Sequence, residues 1–191
     1  DVRLKQAIWF PPTARPKDMG IPVDGDISVH PGRIEFKNLT LFRALTLSGA
    51  VTSGATGTWD IAWKGTRLPL ADLMESGVDV LRSLPPKGTV GTEGTMTGTA
   101  DRPAVAWKAE LNDVGYPGFL LPNLTIVGQW KDDWFSLKTT GMTGQLDLAG
   151  TLPSLGKNRP TAGGVWTLRA ANLDLALLAE RNGWPRVRGL L

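Results

Sequence analysis

A handful of short motifs recurs along this chain in the same order, and any fold must accommodate that recurrence. Pro31-Gly32 returns as Pro117-Gly118. Asn38-Leu39-Thr40-Leu41 returns as Asn123-Leu124-Thr125-Ile126, an offset of 123 − 38 = 85. Leu47-Ser48-Gly49 returns as Leu148-Ala149-Gly150, and Trp59-Asp60-Ile61 as Trp166-Thr167-Leu168. Leu68-Pro69-Leu70-Ala71 returns as Leu173-Asp174-Leu175-Ala176, an offset of 173 − 68 = 105. Order kept while spacing drifts is the signature of a repeated supersecondary unit with variable loops. An array of this kind acts through a shared surface rather than through one catalytic point.

Within each unit the period is two. Val2, Leu4, Gln6, Ile8 and Phe10 share one parity, with Arg3 and Lys5 opposite, and Pro11-Pro12 ends the strand. Residues 13 to 25 read as turns. Asp26–His30 and Arg33–Phe36 flank the Pro31-Gly32 turn and form a hairpin. Ile34 and Phe36 lie on one parity, Leu39 and Leu41 on the other, so a bulge or turn falls near Lys37-Asn38. Leu45, Leu47 and Val51 alternate with small residues, as do Trp59, Ile61 and Trp63. From Leu68 to Leu84 the spacing turns helical, interrupted by Gly77 and stopped by Pro85-Pro86. Gly88–Thr99 is a thin Gly/Thr strand, since a phosphate loop would need a Gly-Lys-Ser/Thr close. Strand patterns resume at Val105–Leu111 and continue to Trp166-Thr167-Leu168; a second helix is expected over about 174–182, with Asp174 as N-cap and Gly183 as stop.

The organisation expected is therefore an initial strand and linker (1–25), a first β-rich repeat (26–99) with a helix at about 69–84, and a second (100–191) with a helix at about 174–182. The fold class is mainly β: an elongated, curved antiparallel sheet, an open trough of repeated strand units with two short helices. The chain begins at Asp1 and ends on a strand-like Val187-Arg188-Gly189-Leu190-Leu191, so it reads as a segment of a longer protein.

Chemistry-bearing constellations are scarce. The absence of cysteine excludes thiolate catalysis and disulfide frameworks. The one histidine, His30, precedes a turn and has no Gly-x-Ser-x-Gly elbow to serve. Asp24-Gly25-Asp26 lacks the rest of a calcium loop and reads as a turn. No metal, no cofactor and no enzymatic activity are expected. A net charge of +3 comes from Lys and Arg scattered singly, which does not suit nucleic acid. The sequons at Asn38 and Asn123 sit at equivalent repeat positions and read as structural echoes.

The grammar of strand, Pro-Gly, Asn-Leu-Thr, Leu-x-Gly, Gly-x-Trp, Leu-x-Leu-Ala-x-Leu resembles the TamB family within the AsmA-like proteins, most closely in Gly163-Gly164-Val165-Trp166-Thr167-Leu168 with Asn172-Leu173-Asp174-Leu175-Ala176 and in Gly141–Gly150. The resemblance covers the chain from about residue 22. It implies a periplasmic protein, anchored in the inner membrane by a helix outside this segment. It also implies a taco-like sheet that carries phospholipid between the membranes, and an outer-membrane barrel partner in assembly. Protein N of type II secretion systems has similar grammar.

The apolar parity supplies the candidate groove lining: Ile34, Phe36, Leu45, Leu47, Trp59, Ile61, Trp63, Val105, Trp107, Leu124, Ile126, Phe135, Leu137, Leu146, Leu148, Trp166 and Leu168. Acyl chains are the expected ligand. Alternation alone is equally compatible with a dry sandwich core. The second functional reading is a β-sandwich adhesion domain. Its signal is composition: 8 Trp against 1 Tyr. It requires several Trp on an outer face to contact sugars or proteins.

Overall fold

The computed structural model describes residues 1–54, 57–83, 85–99, 102–116, 119–121, 123–132, 134–141, 144–151, 165–172, 176, 179, 180 and 183. Twelve strands build one antiparallel sheet: β1 (Val2–Trp9), β2 (Ile21–His30), β3 (Arg33–Leu41), β4 (Leu45–Thr52), β5 (Thr58–Pro69), β6 (Lys87–Thr99), β7 (Pro103–Tyr116), β8 (Phe119–Leu120), β9 (Leu124–Lys131), β10 (Trp134–Gly141), β11 (Gly144–Thr151) and β12 (Trp166–Ala171). Strand order follows chain order, except that the two-residue β8 hangs from β7 while β7 pairs onward with β9. Among the described strands β1 and β12 form the two edges and do not pair with each other, so the sheet they build is open. Eleven strands along the path make ten steps of about 4.8 Å, an extent of about 48 Å. The fold is the mainly β, open, trough-like sheet expected from the alternation.

The helical spacing between β5 and β6 is realised in two pieces. Helix α1 (Leu70–Glu75) starts after Pro69, which suits a helix start because proline lacks an N–H to satisfy. It ends where the Ser76 hydroxyl donates to the Leu73 carbonyl and Gly77 turns with φ +87°. A 3₁₀ turn follows at Asp79–Ser83. The second helix expected at about 174–182 falls largely outside the described residues.

Four bulges cross the sheet on alternate strands. Each inserts one extra residue opposite its neighbour, and each carries a non-glycine residue in the left-handed region: Gln6 in β1, Asn38 in β3, Arg67 in β5 and Asp113 in β7. The Asn38 bulge explains the parity switch in β3. Without the extra residue, Leu39 and Leu41 would fall on the opposite face from Ile34 and Phe36. Bulges also bend and twist a sheet locally, which is how an open sheet acquires curvature.

Residues 21–25, read as turns from their Pro, Asp and Gly content, are instead the start of β2. Ile21 and Val23 are among the most buried side chains, and Gly25 (φ +138°) accommodates the close passage of the Asn38 backbone. Tertiary burial of Ile21 and Val23 overrides the turn chemistry around them.

The buried core sits at one end of the strands. One cluster gathers on Ile21, Val23 and Leu39. A second gathers on Leu70, Leu73 and Val114, with Val90 and Leu111 beneath and Leu81 beside them. Phe42 packs against both. Arg82 latches this helical cap to the β1–β2 loop: its guanidinium binds Asp18 and Asp79 and donates 2.8 Å to the Thr13 carbonyl. The Thr13 hydroxyl donates to the Gly77 carbonyl at 2.8 Å.

Candidate functional site: an uncovered apolar face

Directly opposed residues of an antiparallel ladder share a face. The registers therefore sort every strand position onto one of two sides. One continuous row reads Leu39, Leu47, Trp63, Gly94, Trp107, Gly128, Leu137, Leu148, Leu168. The next reads Phe36, Gly49, Ile61, Met96, Val105, Trp130, Phe135, Gly150, Trp166. A third runs Ile34, Val51, Trp59, Gly98, Pro103. Toward the helical cap follow Leu45, Gly65, Thr92, Ala109, Ile126, Thr139 and Leu146, then Val90, Leu111, Leu124 and Gly141.

All seventeen candidate lining residues hold positions on this one face. The structure brings them together, although they come from eight strands and span residues 34 to 168. Leu146 is placed by backbone register only. Every other one is half-buried or exposed, and Ile34, Trp166 and Leu168 are 40%, 45% and 65% exposed. A dry sandwich core would bury them. Here the strands contact their ladder neighbours, and only α1 packs against the sheet to any extent among the described elements. That helix covers the face at the bulged end and leaves the three rows with most of the tryptophan uncovered.

The tryptophans keep those rows shallow. Trp63, Trp107 and Trp166 each stand opposite a glycine: Gly94, Gly128 and Gly150. A Cβ built on any of these glycines would collide with the facing indole ring. Each ring thus lies over the neighbouring strand rather than standing up from its own. Around Gly150 a second ring joins in, with Phe135 and Trp166 centroids 6.0 Å apart at 59°. Glycine in a strand is intrinsically unfavourable, and covering it with an aromatic ring offsets that cost while flattening the floor. Trp63 also donates from Nε1 to the Thr92 hydroxyl at 3.2 Å, which satisfies its one polar atom on an apolar surface.

The opposite face is polar and small. It carries Asp60, Ala62 and Lys64 on β5, Thr95, Thr97 and Glu93 on β6, and Ala104, Ala106 and Lys108 on β7. Its ion pairs are exposed: Arg3–Asp26 at 3.7 Å, Arg33–Glu35 at 2.7 Å and Lys108–Glu110 at 2.7 Å. The last pair holds the Glu110 carboxyl below its ordinary range and the Lys108 ammonium above its own, through the hydrogen bond between them. Trp134 stands on this polar face at 49% exposure, whereas Trp9, Trp59, Trp63, Trp107, Trp130 and Trp166 share the apolar side. Trp184 lies outside the described residues.

His30 is exposed at the end of β2, beside the Pro31-Gly32 turn. No group of three or more His, Asp or Glu poised to hold a metal occurs among the described residues, and no helix among them is long and apolar enough to cross a membrane. Sequence reasoning missed Met96, Trp130 and Val90 on the apolar face; Val51, read on the apolar parity of β4, takes its place there with Ile34 and Trp59. Met96 and Val90 sit in the Gly/Thr-rich β6, whose thin pattern hides them until pairing with β5 and β7 fixes its register. No family model, no characterised protein and no solved structure matches this chain.

Proposed function

We propose that this chain is a segment of a periplasmic, AsmA-like lipid carrier whose apolar face receives phospholipid acyl chains between the inner and outer membranes. The observation that supports the reading is a face of aligned apolar rows, left half-exposed by a fold that covers only one end of it. Large uncovered apolar surfaces are rare on isolated soluble domains and normally have an occupant. Acyl chains suit this one, because the rows offer oily contact with few polar groups to satisfy. Each methylene buried there gains about 0.8 kcal/mol. The rows run across the strands, so a tail lying along them crosses from strand to strand without meeting the polar side. The resemblance to TamB-like sequences points the same way and extends the proposal to an inner-membrane anchor elsewhere in the protein and an outer-membrane barrel partner.

The test is native mass spectrometry of gently purified protein, compared with an Ile61→Asp variant. Ile61 sits in the middle row at a half-buried site, so a charge there disrupts the apolar path without opening the buried core. Co-purified phospholipid on the parent chain and none on the folded variant supports the proposal. Absence of lipid from the parent chain, after incubation with phospholipid vesicles, overturns it.

A further inference from the structure

The polar side holds a cleft of about 750 Å³ that the lipid reading does not use. It lies across β5, β6 and β7 at the bulged end. β5 supplies one wall with Lys64, Thr66 and Arg67; β7 supplies the other with Lys108, Glu110, Asn112 and Asp113. Between them β6 contributes Thr89, Gly91, Thr92 and Glu93, and the floor is open only at Gly91, which presents no side chain. Two bulges build the cleft: Arg67 and Asp113 are the left-handed residues of β5 and β7, with φ +52° each. Backbone held in that region is costly for a non-glycine residue and tends to collect at functional sites. Asn123 is fixed across the mouth by accepting a hydrogen bond from the Asp113 N–H at 3.2 Å.

The charges in the cleft are separated. Among the described residues, neither Lys64 nor Arg67 has an ion-pair partner, although Lys64 stands opposite Glu93 in register. On the far wall Lys108 is taken up by Glu110 at 2.7 Å, which leaves Asp113 as the unpaired charge there. At the bulges the β5 wall presents Arg67 and the β7 wall Asp113, with Gly91 between them, while Glu93 stands one step along β6, between Lys64 and Lys108. A simple anion would satisfy the β5 wall and face the Asp113 carboxylate. A simple cation has the reverse problem.

We propose that this cleft binds a small zwitterion, its oxyanion on Lys64 and Arg67 and its ammonium toward Asp113. The shared chemistry fits a free phosphorylated amine or amino acid and equally the head of an amine-bearing phospholipid.

The probe is O-phosphoethanolamine, followed by amide chemical shifts on the ¹⁵N-labelled chain, with inorganic phosphate and ethanolamine as separate controls. Gly91→Leu fills the floor. A Cβ there meets nothing nearer than the Glu110 Cβ at 3.7 Å, so the backbone tolerates it. Saturable shifts confined to β5–β7 with O-phosphoethanolamine are expected. They should weaken about tenfold in Arg67→Gln and vanish in Gly91→Leu, with both variants keeping the parent circular dichroism and melting midpoint. Flotation with phosphatidylethanolamine vesicles, lost in Gly91→Leu, assigns the ligand to a lipid head; saturable shifts without flotation assign it to a free solute. Either phosphate alone binding as tightly as O-phosphoethanolamine, or a folded Gly91→Leu with undiminished shifts, overturns the proposal. Neither result bears on acyl-chain capture at the opposite face.

Discussion

The two ends of the strands carry the same apolar parity and meet different fates. At the bulged end, Leu68 and Val114 on the strands and Leu70 and Leu73 on α1 are all buried. A few rows away, Ile61, Trp107 and Leu137 are as apolar but only half-buried. The difference lies in what the intervening chain supplies. The β5–β6 connection is long enough to place α1 and the 3₁₀ turn over the sheet, whereas the β4–β5 connection at the opposite end spans only residues 53–57. Apolar alternation therefore specifies which face is oily, and the connections decide how much of it becomes core. Burial is concentrated at one end and open apolar surface at the other.

The largest expected effect breaks that comparison directly. Leu70→Ala, at 3% exposure, should cost about 2–5 kcal/mol in urea unfolding, since a cavity opens beneath the helix. Ile61→Ala should cost only about 1 kcal/mol, because much of the side chain is already solvated. Lipid capture should respond in reverse, nearly unchanged in a folded Leu70→Ala and sharply reduced in Ile61→Asp. Equal destabilisation by Leu70→Ala and Ile61→Ala would mean the open rows are covered in solution.

The ring-over-glycine pairs sharpen the same contrast on a smaller scale. Gly128→Ala should destabilise by about 1–3 kcal/mol, since the new methyl drives into the Trp107 ring. In a Trp107→Ala background the same change should become neutral or favourable by about 0.5–1 kcal/mol, as alanine loses less backbone entropy than glycine. The double-mutant cycle reads the coupling. If Gly128→Ala is neutral in the parent chain, the ring does not lie where the glycine requires it.

Much of this was legible beforehand, for a physical reason. Period-two alternation fixes faces, and a face is all that pairing needs to extend; hence Ile34, Trp59, Trp107 and Leu168 fall together although they are far apart in sequence. The bulge at Asn38 was readable because an apolar parity switch without one would turn Leu39 and Leu41 to the polar side. Three things were not readable. Ile21 and Val23 were obscured by Pro22, Asp24 and Gly25, whose local turn preference yields to burial against β1 and β3. The uncovered state of the apolar rows depends on where α1 docks, a long-range outcome that alternation does not encode. The polar cleft depends on bulges at Arg67 and Asp113, where no composition cue marks a left-handed arginine or aspartate.

The smallest predicted effect concerns the latch that keeps the covered end covered. Asp18 accepts from the Arg15 backbone N–H and binds the Arg82 guanidinium, and these interactions hold its carboxyl below the ordinary aspartate value of 3.8. A group whose pKa is lowered on folding stabilises the fold fully above its unfolded pKa and loses that contribution as pH falls through the folded one. The latch should therefore be intact at neutral pH and weaken only below about pH 3.8. Asp18→Asn should lower the melting midpoint at pH 7 modestly and flatten its decline in acid relative to the parent chain. Because Arg82 also binds Asp79 and the Thr13 and Gly77 carbonyls, the helical cap should stay docked in the variant. Hydrogen exchange at Leu73 and Ser76 checks this: protection retained in Asp18→Asn places the hold on the cap in the leucine contacts, and protection lost places it in the ion pair. The buried area beneath Leu70 and Leu73 favours the first outcome, since apolar burial does not titrate and the part-buried Asp18–Arg82 pair does.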